Sequence, residues 1–144
     1  MNPARLMPLL RRAQQQQEQA TSELARQQHT LRQHQQRLTE LQRYRDEYAQ
    51  PPTALANLEQ LLSYRSFVQR LNHALEQQTH SIEQQQKQLQ RHQQHLLAAR
   101  QATQKLEHLV QQGRARAQQG QIRQGLRQLD DLAAYRTFQR NQPV

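Results

Sequence analysis

The side chains best placed to do chemistry in this 144-residue chain are His92 and His95, and the acidic pair Asp130 and Asp131. Two histidines three residues apart share one face of a helix and could ligate a metal. No carboxylate adjoins them, however, and His92 falls in line with a row of apolar residues, which gives it a packing role. Asp130 and Asp131 read more simply as a solvated pair in a helical turn than as an acid/base dyad. There is no Gly-rich phosphate loop, nucleophile elbow or HExxH motif. The absence of cysteine removes thiolate metal sites and disulfides, and fits a reducing compartment. Neither catalysis, a metal nor a cofactor is expected.

The chemistry on offer is recognition by aromatic rings. Of six aromatics, Tyr44, Tyr48, Tyr64 and Phe67 flank the Pro51-Pro52 pair, and the other two are Tyr135 and Phe138. Tyr48 and Tyr64 lie on the apolar row and could plug the end of a hairpin. Tyr44 and Phe67 stand one residue off it, so at least half of each ring should be exposed, as recognition patches are. Leu71 and Ala74 continue one helical face from Phe67, and Leu41 precedes Tyr44 by three.

The elements that carry these residues are long helices. Glutamine supplies 34 residues, and the hydrophobic fraction of 34% is low for a packed globule. Such a chain is either disordered or a helix burying one narrow stripe, and periodicity decides. Leu6, Leu10, Ala13, Gln17, Ala20, Leu24, Gln27, Leu31, His34, Leu38, Leu41, Arg45 and Tyr48 follow an unbroken 3/4 spacing. A second series runs from Leu61 through Tyr64, Val68, Leu71, Leu75, Gln78, Ile82, Gln85, Leu89, His92, Leu96, Ala99, Thr103 and Leu106 to Val110. These are coiled-coil seams. The expected architecture is all-α: two long helices in an antiparallel coiled-coil hairpin, the second extending past the first. Residues 1–144 form one unit, with helix 1 at about 4–49, a turn at 50–54 with Thr53 as N-cap, and helix 2 at about 55–140. Pro8 is placed in the first turn, where its missing N–H costs little. Gly113, Gly120 and Gly125 make 112–125 the weakest part. The polar seam positions, Gln17, Gln27, His34, Arg45, Gln78, Gln85 and His92, fix register at the expense of stability.

The arms are unequal. A short turn forces antiparallel neighbours, so helix 1 should pair with about 55–105, leaving roughly 35 C-terminal residues without an intramolecular partner. They still carry an apolar stripe, Leu126, Leu129, Leu132 and Ala133, which calls for a docking surface.

Net charge is +9, with 18 arginines against Lys87 and Lys105. The arginines are scattered among glutamines instead of being gathered into a patch, which argues against nucleic acid as the main partner. No apolar run reaches the ~20 residues of a membrane span, and the N-terminus lacks a signal-peptide pattern.

Two segments carry a family resemblance, L38-T-E-L-Q-R-Y-R-D-E-Y48 before the break and Y64-R-S-F-V-Q-R-L-N-H-A-L-E-Q-Q78 after it. With the longer second arm, they resemble the flagellar export protein FliJ family over essentially the whole chain. The resemblance implies a non-enzymatic central stalk of the type III export apparatus, similar in architecture to the stalk of the rotary ATPase gamma subunit. It implies that the open end, here Leu6, Leu10, Leu126, Leu129 and Ala133, enters the hexameric export ATPase and stimulates it. The gate-binding patch maps by motif onto Leu41, Tyr44, Tyr48, Phe67, Leu71 and Ala74, facing the cytoplasmic linker of the membrane export-gate protein. Export chaperones are further implied partners, and the implied location is the cytoplasm, peripherally at the inner membrane of the flagellar base. The rivals are the equivalent stalk of a virulence-type secretion system and a generic structural or nucleic-acid-associated coiled coil.

Overall fold

The computed structural model describes residues 2–51 and 57–141. Two helices account for nearly all of them, α1 (Pro3–Glu47) and α2 (Leu58–Arg140). They form an antiparallel coiled-coil hairpin in which α2 extends past α1.

Each start is set by an asparagine. The Asn2 side-chain oxygen accepts from the Ala4 N–H at 3.1 Å, with Pro3 in the first helical position, where a missing N–H is harmless. Asn57 does the same for α2, accepting from the Gln60 N–H at 2.8 Å. The expected N-cap, Thr53, and most of the expected turn at 50–54 lie outside the described residues. Because α1 begins at Pro3, Pro8 falls in the second turn and not the first. There it has no N–H for the carbonyl of Ala4, an exposed residue whose oxygen water can reach.

The chain divides into two compact units, Gln17–Ala98 and Met1–Gln16 with Ala99–Val144. In the first, paired positions run antiparallel. Tyr48 meets Phe67, Gln78 bonds His34 and Gln85 bonds Gln27. Leu71, Leu75, Ile82 and Leu96 are buried on α2, and Ala20 on α1. Two polar clasps interrupt this seam one heptad apart. Gln85 Nε2 donates to the Gln27 side-chain oxygen at 2.6 Å and, more weakly, to its carbonyl at 3.3 Å. Gln78 Nε2 donates to the His34 carbonyl at 2.8 Å and lies 3.1 Å from His34 Nδ1. Each clasp ties an amide to one place on the facing helix, which is the physical content of register control.

In the second unit, Leu6, Leu10 and Val110 form a buried cluster with Met7 and Leu106 packed against it. Ala13 is buried too, and Thr103, buried and polar, donates its hydroxyl to the Ala99 carbonyl at 3.0 Å. Arg114 reaches the Met7 sulfur at 3.9 Å. Pairing therefore continues to Val110, beyond the expected limit of about 105. The cause is register: Leu6 sits against Val110 because α2 starts at Leu58, later than expected. The unpartnered part of α2 is shorter than expected, about 115–140, and every residue there but the half-buried Gly125 is exposed. The backbone stays helical through all three glycines, none of which has a positive φ.

Candidate functional site

Two exposed apolar surfaces stand out, one in each unit. The first is built around the end of α1. Its last residue is Glu47, and the next, Tyr48, already faces Phe67. The first turns of α2, 58–66, consequently have no α1 residue opposite them. That leaves Leu58 (70% exposed), Leu61 and Leu62 open to solvent, although Leu61 is on the seam by spacing. Tyr48 and Phe67 meet edge to face, with ring centroids 5.1 Å apart and planes at 67°, the geometry that ring quadrupoles favour. The Tyr64 hydroxyl donates to the Tyr48 carbonyl, fixing the chain just after α1 ends.

The six residues expected to bind the gate protein are thus not equally available. Tyr44 is 52% exposed and Tyr48 40%. Phe67 is less open than expected, 37%, because Tyr48 covers one side of its ring. Leu41 and Ala74 are half-buried, and Leu71 is buried in the seam, where it supports the surface from beneath. Arg45, a seam position by spacing, is exposed, since α1 stops within a turn of it and its guanidinium lies 3.6 Å from Asp46. Leu58 and Leu62 join the surface without having been foreseen. The signal for them was Asn57 followed three residues later by Gln60, an N-cap pattern that marks the start of α2.

The second surface is the unpartnered stretch of α2. Ile122, Leu126, Leu129 and Ala133 follow one another at 4, 3 and 4 residues along a single face, and all are exposed. Leu132, Tyr135 and Phe138 are exposed beside and behind this stripe. Leu6 and Leu10, expected on the same docking surface, are instead buried against Val110. Their contribution here is to hold the start of α1 on α2.

His92 is half-buried on the seam and His95 is exposed. Among the described residues no three His, Asp or Glu side chains gather as a metal would require. No helix among them is long and apolar enough to cross a membrane.

The family model of the flagellar FliJ protein matches residues 1–142. The chain belongs to the FliJ family. It is accordingly a flagellar export-related coiled-coil stalk protein, and the family is a structural one. No curated protein and no solved structure matches the chain.

Proposed function

We propose that this FliJ-family chain is a non-enzymatic coupling element of the flagellar export apparatus that engages two partners through two surfaces. The unpartnered stripe of α2 enters and stimulates the hexameric export ATPase. Tyr44, Tyr48 and Phe67 bind the cytoplasmic linker of the membrane export-gate protein, with Leu41, Leu71 and Ala74 holding them in place. Export chaperones are further partners, and the working location is the cytoplasmic face of the inner membrane at the flagellar base. The observation that carries this reading is the coexistence, in one family member, of two separate exposed apolar surfaces. A passive spacer has no use for either, because exposed rings and leucines cost solubility and are kept where something binds them. The rival virulence-type stalk is set aside because the matching family is the flagellar one. The test is co-purification with the cognate export ATPase and with the gate linker, together with the ATPase rate in the presence of the chain. Failure to bind either partner would refute the coupling role.

A further inference from the structure

The stripe on the unpartnered part of α2 is self-complementary, and its phase differs from the seam that pairs α2 with α1. Ile122, Leu126, Leu129 and Ala133 occupy alternating core positions of a short heptad pattern. Their midpoint falls between Arg127 and Gln128, so a second copy laid antiparallel about that point meets the first in matched layers. Ile122 then faces Ala133 of the second copy, and Leu126 faces Leu129, with the same contacts repeated across the two-fold axis.

Two flanking positions agree with this register independently. In antiparallel coiled coils the residues on one flank of the core meet their equivalents on the other chain. Here that places Arg123 against Asp130 of the second copy, twice over. Among the described residues neither Arg123 nor Asp130 makes an ion pair, and seven residues, or about 10 Å, separate them along their own helix. On the other flank Gly125 meets Leu132 of the second copy. Beyond its own turn of helix, Gly125 has no atom within 4 Å of where a Cβ would stand, and Leu132 is 56% exposed, so a bulky side chain faces open space. A parallel pairing in the same phase matches neither feature, since it sets Arg123 against Gln118 and Asp130 against Gly125.

We infer that the unpartnered stretch of α2 is a homodimerisation surface, pairing antiparallel with the same stretch of a second copy. Arg123 and Asp130 set its orientation, and Gly125 receives Leu132. The inference does not depend on whether the same stripe also docks into an ATPase. With five apolar side chains per copy the interface is small, so association is weak and concentration-dependent.

The test is sedimentation equilibrium of the whole chain over about 1 to 300 μM, a range suited to weak interfaces. A monomer–dimer equilibrium is expected. Asp130→Arg should weaken it at least about tenfold, and Arg123→Asp combined with Asp130→Arg should restore it to within about threefold. Gly125→Leu should weaken the dimer while raising helicity, which no folding defect would do. Because the chain has no cysteine, orientation is read separately: a Leu126→Cys preparation mixed with a Leu129→Cys preparation should form disulfide-linked dimers faster than either alone. A chain that remains monomeric throughout, a dimer indifferent to Asp130→Arg, or equal cross-linking with and without mixing would each overturn the inference.

Discussion

Replacing both Gln27 and Gln85 by Leu should stabilise the hairpin, and the structure says by how much. Gln85 gives Gln27 one good hydrogen bond at 2.6 Å and a weaker one at 3.3 Å. Losing them costs about 1–2 kcal/mol, since such bonds are worth about 0.5–1.5 kcal/mol each net of water. Fully burying a leucine yields about 1.5–3 kcal/mol, and both sites are half-buried, so the two together return about 1.5–3 kcal/mol. Leu and Gln have similar helix propensity, and immobilising Leu costs less side-chain entropy, so the balance favours the double variant by about 1 kcal/mol. Gln27 also donates to Glu23 at 3.0 Å, and Glu23 in turn holds Arg26 at 3.3 Å. That exposed chain adds little, because surface ion pairs contribute about 0–1 kcal/mol. Gln85→Leu alone should be near neutral, as Gln27 keeps its Glu23 partner and water reaches the vacated oxygen. The assay is urea denaturation followed by far-UV circular dichroism for both single variants and the double. A double variant less stable than the parent would refute the reasoning, and would mean that the clasp is a cooperative network worth more than its separate bonds.

Three further outcomes are expected. Leu6→Ala removes a 3%-exposed side chain from the cluster with Val110 and should cost about 2–4 kcal/mol locally, read as faster hydrogen exchange over 3–16 and 103–112; unchanged exchange there would contradict the packing. Gly120→Ala meets nothing within 4 Å and should gain up to about 1 kcal/mol of helix stability, slowing exchange across 115–140; a loss of helicity would contradict the open space around Gly120. Asn57→Ala removes the cap on Gln60 and should cost about 1 kcal/mol, seen as fraying of the first turn of α2 by hydrogen exchange; an unfrayed turn would assign the cap elsewhere.

The seam was legible residue by residue because a 3/4 spacing leaves little freedom about what faces inward. From Leu6 to Leu41, every position the spacing assigned to the seam is buried or half-buried, polar ones included. What the sequence hid was the register. Pro51-Pro52 drew the turn to 50–54, whereas α2 starts at Leu58, and a few residues' difference there moved the partner of Leu6 out to Val110. The same shift explains why Leu61, a seam residue by spacing, is exposed. The aromatic surface was legible in its members and not in their degree of exposure. Whether Leu71 lies on the surface or beneath it depends on which residue of α1 stands opposite, and spacing within one helix carries no information about that.

The central claim is that two separable surfaces serve two partners, and one paired measurement tests it most directly. ATPase stimulation and gate-linker pull-down are compared for Tyr44→Ala with Phe67→Ala and for Leu126→Gln with Leu129→Gln, with circular dichroism as the folding control. Buried anchors at an interface typically cost ~2 kcal/mol or more each when truncated, about 30-fold in affinity. The aromatic variant should lose gate binding and keep ATPase stimulation, and the leucine variant should lose stimulation and keep gate binding. Loss of stimulation with intact gate binding in the aromatic variant would contradict the assignment of the surfaces, and equal loss of both in either folded variant would contradict their separation.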